Sequence, residues 1–358
     1  MCLSDDQVLA FSEGSLPPAA MDSVNAHLDW CPTCQELVNA AVHDWDHPPA
    51  SLPSDRIWMA TFGPRQIIAG RYRIERFLGR GGMGEVYAAF DIVLSDHVAL
   101  KTVLSTSSDN PSAVKRLLSE ARLARRISHP HVCRVHDVGV HEEPGRVDER
   151  LHFLTMEFIE GKRLAQILRA GPIELSLGVG IARQILLGLQ AAHRAGVLHR
   201  DLKSDNIMVS GAGDAAHITI TDFGLSQALD AHSRAMGGGR QERVGSIAYM
   251  APEQILGQDL GPETDVFGFG VVLFEMLCGR LPFIPEGDNP RDMALRRLNE
   301  RAAPPSRFRA DIPPALEAVM LRCLELERAG RYHSATEVLT ALEEGQCLGG
   351  CLGGTGGG

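Results

Sequence analysis

Apolar and polar residues alternate along residues 72–103, and this period of two predicts β-strands. The segments RYRIERFL, EVYAAF and HVALKTV each carry the alternation, and the glycine-rich RGGMG separates the first two. Farther along, apolar residues recur at helical spacing, in a basic stretch over residues 112–127 and again from Leu175 to Ala195. The pattern predicts a strand-rich part followed by a mostly helical part.

The same pattern divides the 358 residues into four parts. Residues 1–42 carry short helical patterns and are predicted to form a small helical domain. Residues 43–66 contain prolines and no sustained period, so they are predicted to be a linker. Residues 67–344 are predicted to form the main domain, and the glycine-rich residues 345–358 are predicted to be a disordered tail.

Composition narrows the class of function. The formal net charge of -10 argues against a general nucleic-acid-binding protein, which carries a basic face to neutralise phosphates. No apolar run reaches the roughly 20 residues that span a bilayer, and the start, MCLSDDQ, lacks the basic and apolar regions of a signal peptide. We therefore expect a cytoplasmic protein without a membrane or nucleic-acid partner, and the oligomeric state stays open.

Three glycines, Gly79, Gly81 and Gly84, have the spacing G-x-G-x-x-G. A dinucleotide-binding fold needs a helix after such glycines, and a P-loop needs Gly-Lys-Ser/Thr, but here the strand pattern EVYAAF follows. A glycine-rich hairpin that folds over phosphates is the remaining interpretation, because residues without a Cβ let backbone N–H groups approach an anion closely.

A lysine in an apolar strand is the next unusual feature. Lys101 lies in VALK, and a buried lysine is costly unless its charge is paired. Glu120, in the predicted basic helix, is the expected partner. The pair predicts a cation held in a fixed position beside the glycine hairpin.

Three further motifs follow in order: VLHRDLKSDNIMV at residues 197–209, ITDFGLS at residues 220–226 and YMAPE at residues 249–253. With these motifs, residues 72–344 resemble a bacterial, eukaryotic-like (Hanks-type) serine/threonine protein kinase. The resemblance implies an α+β, two-lobed fold with a small β-rich N-lobe and a helical C-lobe. It also implies transfer of the γ-phosphate of ATP to Ser/Thr hydroxyls of protein substrates, with autophosphorylation, in bacterial signal transduction.

The resemblance assigns roles around the nucleotide. Lys101 would hold the α- and β-phosphates and would be oriented by Glu120. Asn206 and Asp222 would hold two Mg²⁺ ions. ATP and Mg²⁺ are therefore the expected cofactors of the main domain.

The resemblance also assigns the nucleotide-binding pocket. Val86 and Ala99 would cover the adenine from above and Met208 from below, Met156 would be the gatekeeper, and Glu157, Phe158 and Ile159 would form the hinge. The full set of expected ATP-binding residues is Leu78, Gly79, Gly81, Gly82, Gly84, Val86, Ala99, Lys101, Met156, Glu157, Ile159 and Met208.

Two residues are implied at the acceptor side. Asp201 would accept the proton of the acceptor hydroxyl, and Lys203 would lie against the γ-phosphate. Lysine at position 203 resembles serine/threonine kinases rather than tyrosine kinases. Ser246 stands where the family usually has threonine, and its hydroxyl would bridge Asp201 and Lys203.

Three more matching positions are expected to be structural. Glu253 would pair with Arg331, and Asp265 would hold the backbone of the catalytic loop.

Residues 222–253, the activation segment, contain no threonine. Ser233 is the first candidate phosphoacceptor there, and Arg200 would give a phosphate on this segment a cationic partner.

The segment HLDWCPTCQELV, at residues 27–38, indicates a separate chemistry. His27 and Cys31 are four residues apart and share a helix face, and Cys34 follows after the turn at Pro32. Forty residues bury too little apolar surface to fold without a staple, and disulfides are disfavoured in the cytoplasm. The spacing fits three ligands of a structural Zn²⁺ ion.

Cys2 is the candidate fourth ligand, because it is the remaining cysteine of residues 1–42. This part resembles the zinc-binding anti-sigma factor domain, which implies a protein partner. A redox dithiol and unliganded cysteines remain alternatives. The helix pattern before Cys31 favours zinc over a redox site, which normally follows a strand.

Two alternatives to the enzyme remain. One is a pseudokinase scaffold that binds nucleotide and recruits partners. The other places the biological output in residues 1–42, as an anti-sigma-like partner trap that the kinase regulates. The presence of all the expected catalytic groups favours the enzyme.

Overall fold

The computed structural model divides the chain into two compact units, Met1–Met59 and Ala60–Gly358. The structure describes residues 24, 61–81, 84–103, 121–142, 150–223, 247–283 and 296–350. Several predicted features therefore lie outside the described residues. They are Cys2, His27, Cys31, Cys34, Gly82, Glu120, Ser233, Ser246, residues 351–358 of the tail and most of residues 1–60.

The strand-rich part is one antiparallel sheet. Its strands are β1 (Ile67–Ile68), β2 (Tyr72–Gly81), β3 (Gly84–Asp91), β4 (Asp96–Val103), β5 (Val135–Glu142) and β6 (Arg150–Glu157). They lie in the order β1-β2-β3-β4-β6-β5. The three strands that the alternation predicted are confirmed as β2, β3 and β4, and they bury one face around Ile74, Tyr87 and Leu100.

The predicted glycine-rich hairpin is present between β2 and β3. Gly81 pairs with Gly84 across its tip. Gly84 has a φ of 141°, and a Cβ built there would lie 1.9 Å from the carbonyl oxygen of Thr102. No side chain fits at position 84, so glycine lets the hairpin pass close over β4.

Residues 61–66 pack on this sheet, so the predicted linker is wrong over its last six positions. Phe62 is buried, with its ring 5.6 Å from that of Tyr87 and 5.7 Å from that of His141. The N–H of Arg65 donates to the carbonyl oxygen of Ile74 at 2.7 Å. One aromatic anchor and a few backbone bonds hold a segment that has no periodic pattern.

The second part is mostly helical. Its helices are α1 (Leu164–Leu168), α2 (Leu175–Arg194), α3 (Pro252–Ile255), α4 (Pro262–Cys278), α5 (Pro314–Cys323) and α6 (Ala335–Gly350). A three-stranded sheet consists of β7 (Lys162–Arg163), which directly precedes α1, and of β8 (Ile207–Ser210) and β9 (His217–Ile220), which lie between α2 and α3 in the chain. Residues 121–124 are the described end of the predicted basic helix.

Helix α4 is the centre of the helical core. It is buried on every side from Thr264 to Phe274, and α2, α5 and α6 pack against it. Among the described residues, α2 is the one helix long and apolar enough to cross a membrane. Half of that stretch is buried against α4, α6 and β9, which is the packing expected of a core helix.

Helix α6 continues to Gly350, so the predicted disorder from residue 345 is wrong for residues 345–350. Val338, Leu339 and Leu342 anchor the helix in the core. Because extending a formed helix is much easier than nucleating one, the anchored turns carry the helix into a glycine-rich sequence.

Candidate active site

Asp201, Lys203 and Asn206 lie together in the loop between α2 and β8. Lys203 Nζ is 2.9 Å from Asp201 Oδ2. Asn206 Nδ2 donates to the carbonyl oxygen of Asp201 at 2.7 Å and to its Oδ2 at 3.2 Å. The loop therefore fixes one carboxylate by a cation and an amide, and all three predicted positions meet.

Lys101 and Asp222 form the second group of the site. Lys101 Nζ, on β4, donates to Asp222 Oδ1 at 2.7 Å, although 121 residues separate them in the chain. Burial by itself would raise the pKa of Asp222, but the charge and hydrogen bond of Lys101 hold that pKa below its ordinary value. Asp222 also has a φ of 63°, an unusual conformation for a residue with a side chain.

The two groups are connected through Thr221. Its N–H donates to the carbonyl oxygen of Asn206 at 2.8 Å. Asn206 directly precedes β8 and Asp222 follows β9 by two residues, and β8 and β9 are paired neighbours in the sheet. Two oxygen-bearing side chains at this point suit Mg²⁺, which prefers oxygen ligands.

Asp265 holds the backbone of the catalytic loop, as predicted. Its carboxylate accepts hydrogen bonds from the N–H groups of His199 at 2.8 Å and Arg200 at 2.7 Å. It also lies 2.8 Å from His193 Nε2. Burial by itself would raise the pKa of Asp265, but these hydrogen bonds and the nearby histidines hold it below its ordinary value.

His199 joins the loop to the segment that carries Asp222. Its Nε2 lies 2.9 Å from the carbonyl oxygen of Thr221, and its ring lies 4.6 Å from that of Phe223. The sequence did not indicate this role, because there His199 is only the residue that precedes Arg200 and Asp201. Its pairing with Phe223 depends on how two distant motifs meet.

The expected adenine-binding residues form an apolar cluster under the glycine hairpin. Ala99 and Met156 are buried there together with Leu154 and Cys133. The partly buried residues that pack on this cluster are Val86, Val138, Phe158 and Ile159. Leu78 and Gly79 lie at the end of β2, beside a register shift, and Met208 lies on β8, outside the cluster.

Cys133 is a member of this cluster that the sequence did not assign to the nucleotide pocket. Its Sγ lies 3.8 Å from the carbonyl oxygen of Glu157, and burial raises the pKa of its thiol. The N–H of Glu157 donates to the carbonyl oxygen of Arg134 at 2.9 Å, which fixes the hinge backbone at this point. Cys133 is thus a buried, small apolar residue of the pocket.

The predicted Glu253–Arg331 pair is confirmed as a buried, two-pronged ion pair. The guanidinium nitrogens of Arg331 lie 2.8 and 2.9 Å from the two carboxylate oxygens of Glu253. Thr264 Oγ1 donates to the same carboxylate at 2.8 Å. The pair holds α3 against the region before α6. Because α3 contacts the catalytic loop through Gln254, the pair also stabilises the segment next to that loop.

Gln254 makes a further contact that sequence patterns did not indicate. Its Nε2 donates to the carbonyl oxygen of Arg200 at 2.6 Å, and its Oε1 accepts from the N–H of Ala251 at 2.9 Å. Arg200 has a φ of 67°. Gln254 thus supports an unusual backbone conformation one residue before Asp201.

No group of three or more His, Cys, Asp or Glu residues suited to a metal ion occurs within the described residues. The four predicted zinc ligands lie outside them, as does Glu120. The zinc site and the Lys101–Glu120 pair therefore stay predictions.

A glycine hairpin above a fixed lysine, with an Asp–Lys–Asn loop and a second aspartate facing it, is an arrangement for holding a metal–triphosphate beside an acceptor. It defines the class of two-lobed phosphotransferases.

The family comparison names that class more closely. Residues 72–341 match the family model described as "Protein kinase domain". A Clostridium acetobutylicum protein named "Probable serine/threonine-protein kinase" is 35% identical over 277 residues, which are 77% of this chain and 40% of that protein. Serine/threonine-protein kinase PknA of Mycobacterium tuberculosis is 36% identical over 268 residues, covering 75% of this chain and 59% of PknA.

Among solved structures, the kinase domain of Mycobacterium tuberculosis PknI is similar, with a TM-score of 0.62 at 23% identity, covering 80% of this chain and 100% of that one. The chain belongs to the protein kinase family and has its two-lobed fold. It spans only 40% and 59% of the lengths of the two named relatives.

Proposed function

We propose that this chain is an ATP- and Mg²⁺-dependent protein kinase that transfers the γ-phosphate to serine and threonine hydroxyls of proteins. The observation that carries the proposal is the meeting of Asp201, Lys203 and Asn206 in one loop, which is hydrogen-bonded to Thr221, the residue before Asp222. The bacterial relatives named as serine/threonine kinases support the same substrate class.

Mg²⁺ fits the residues present. The amide nitrogen of Asn206 is engaged by Asp201, so its Oδ1 is the atom left for a cation. The carboxylate of Asp222 would be the second protein ligand, and the metal would neutralise charge on the phosphates. Lys101 would then exchange its contact with Asp222 for the α- and β-phosphates.

The acceptor chemistry falls to Asp201. Its carboxylate is one-fifth exposed and held by Lys203 and Asn206, so it is fixed and open to an incoming hydroxyl. It would accept the hydroxyl proton as the oxygen attacks the γ-phosphorus. Lys203 would carry the charge that builds on the transferring group.

The pseudokinase alternative lacks support from the geometry, because the lysine, both aspartates and the asparagine are present and mutually oriented. Transfer of ³²P from [γ-³²P]ATP to protein separates the alternatives. Wild type should label serine and threonine, whereas Asp201→Asn and Asp222→Ala should not. Equal labelling by all three proteins would contradict the catalytic assignment.

Ser233 belongs to this proposal as an autophosphorylation site, supported by the absence of threonine from the activation segment. Mass spectrometry of active protein should find phosphate on Ser233, and its absence there would remove this part of the proposal. A cytoplasmic location is also proposed, where ATP is supplied and cysteines such as Cys133 and Cys323 stay reduced.

We propose further that residues 1–42 form a zinc-binding, anti-sigma-like domain that binds a protein partner. The support is the spacing of His27, Cys31 and Cys34, with Cys2 as the fourth ligand. Purified full-length protein should carry one zinc per chain, and Cys31→Ser/Cys34→Ser should carry none. Cys347→Ser is the matched control, and zinc-free wild type would contradict the proposal.

A further inference from the structure

Ser204 is a buried hydroxyl inside the catalytic loop. It lies in the short 3₁₀ helix Ser204–Asn206, directly after Lys203, and is 1% exposed. A buried polar side chain in this loop needs a partner, because an unmade hydrogen bond there costs about 1–3 kcal/mol. The partner is not a catalytic residue.

The partner is Tyr249, in the segment before α3. Ser204 Oγ lies 3.0 Å from the Tyr249 hydroxyl, which in turn donates to Glu275 Oε2 on α4 at 2.6 Å. A phenol has a single proton and Tyr249 gives it to Glu275, so Ser204 supplies the proton of the first bond. The three side chains form one directional chain from the catalytic loop to the core helix.

The charges around the chain support this direction. Burial raises the pKa of Glu275, Asp205 adds to that, and the hydrogen bond from Tyr249 opposes it. Burial and then the neighbouring Glu275 raise the pKa of Tyr249, so its hydroxyl keeps its proton. Tyr249 therefore gives its proton to Glu275, and Ser204 gives its proton to Tyr249.

A second hydrogen bond also joins the catalytic loop to residues 247–254. It runs from Gln254 Nε2 to the carbonyl oxygen of Arg200, at 2.6 Å. The Gln254 bond reaches the loop at Arg200, one residue before Asp201. The Tyr249 bond reaches it at Ser204, three residues after Asp201. Arg200, Asp201, Tyr249, Met250 and Gln254 also line one small cavity.

These bonds concern the acceptor side of the site. Tyr249 and Met250 are half-buried and line one cavity with Asp201, so a protein that brings its hydroxyl to Asp201 meets them there. The nucleotide groups Lys101 and Asp222 belong to a separate ion pair. Loss of the Ser204–Tyr249 bond should therefore weaken the use of the protein substrate more than the binding of ATP.

We propose that Ser204 is a positioning residue for the protein substrate, and that its bond to Tyr249 aligns residues 247–251 with Asp201. The proposal rests on the proposed kinase activity. It concerns a hydroxyl that touches neither nucleotide nor acceptor and acts through Tyr249.

Steady-state kinetics with full-length protein, MgATP and dephosphorylated casein test the proposal. Ser204→Ala should lower kcat/KM for casein roughly fivefold, because a net hydrogen bond is worth about 1 kcal/mol, and should leave KM for ATP unchanged. Ser210→Ala is the matched control, since it removes a serine hydroxyl from β8 that bonds to His217 at 3.3 Å. It should behave as wild type in both constants.

Tyr249→Phe tests the same bond from the other side and keeps the ring, so it serves even where Ser204→Ala does not fold. The double variant should lose no more than Tyr249→Phe alone, because the two hydroxyls act through one bond. Additive losses, an unchanged kcat/KM in Ser204→Ala, or an equal rise in the KM for ATP would overturn the proposal. A wild type that transfers no phosphate would instead contradict the kinase activity itself, and the Ser204 role with it.

Discussion

Asp265 Oδ1 accepts a hydrogen bond from the backbone N–H of Arg200 at 2.7 Å, one residue before the catalytic aspartate. Arg200 has a positive φ, so its conformation has to be held from outside. Asp265 sits at the start of the most buried helix, α4. The position of Asp201 is therefore set by the core of the helical lobe and not by the loop alone.

Asp265→Asn should reduce kcat at least tenfold while the affinity for Mg·ADP changes little. The amide can present only one oxygen to two N–H donors, and its NH₂ group then opposes the other donor. Initial rates of phosphate transfer and calorimetric titration with Mg·ADP give the two quantities. Asp259→Asn, an exposed aspartate shortly before α4, is the control and should keep wild-type rates. Full activity in Asp265→Asn would contradict the positioning role.

Lys101→Met should weaken Mg·ADP binding at least tenfold. A hydrogen bond from a charged group is worth about 1.5–3 kcal/mol, and methionine keeps the length of the side chain without its charge. Lys162→Met, on β7 and exposed, removes a lysine that lies away from Asp222 and should bind as wild type does. Equal affinities for wild type and Lys101→Met would mean that the lysine serves only its ion pair with Asp222.

Glu253→Gln should lower the free energy of unfolding by about 3–5 kcal/mol, because it leaves the fully buried Arg331 without its carboxylate. Urea denaturation followed by circular dichroism measures the change. Glu300→Gln breaks the exposed pair with Arg296 on one helix turn and should change stability by about 0.5 kcal/mol or less. Similar losses in the two variants would show that burial does not decide the value of these pairs.

His131 should make the fold sensitive to acid. Burial lowers its pKa below the ordinary value of 6.5, its Nδ1 lies 3.0 Å from the carbonyl oxygen of Ile218, and its ring lies 4.7 Å from that of His217. A lowered pKa in the folded state means that stability is full above pH 6.5 and is lost as the pH falls below it. The melting temperature of His131→Gln should fall less than that of wild type between pH 7.5 and 5.5. Parallel curves would contradict this account.

The sequence predicted the parts of this structure that repeat a local pattern. The alternation around Ile74 and Tyr87 located the strands, the motifs located Asp201 and Asp222, and the family resemblance located Asp265. The burial of Phe62 was not predicted, because a single aromatic residue in a proline-containing segment forms no periodic pattern. Its burial depends on a gap between Tyr87 and His141 that exists only after folding.

The contacts between motifs were also beyond the sequence. Ser204 and Tyr249 are 45 positions apart, and Gln254 and Arg200 are 54 apart. Neither pair has a spacing that propensity or periodicity detects. The Glu253–Arg331 pair was predictable only because both residues match positions of a known family. The continuation of α6 to Gly350 was not predicted, because the glycines there disfavour a helix and the packing of the preceding turns is not visible in the sequence.

The rate of phosphate transfer from [γ-³²P]ATP to protein, compared between Asp201→Asn and Asp205→Asn, tests the central claim most directly. Asp205 is an exposed carboxylate in the same loop, so the two variants remove the same charge from neighbouring positions. We predict wild-type Mg·ADP affinity in both, a rate reduced by about 10²–10⁴ in Asp201→Asn, as for loss of a general base, and a rate within a few-fold of wild type in Asp205→Asn. Equal transfer rates for Asp201→Asn and wild type would contradict the claim that this site is the kinase active centre.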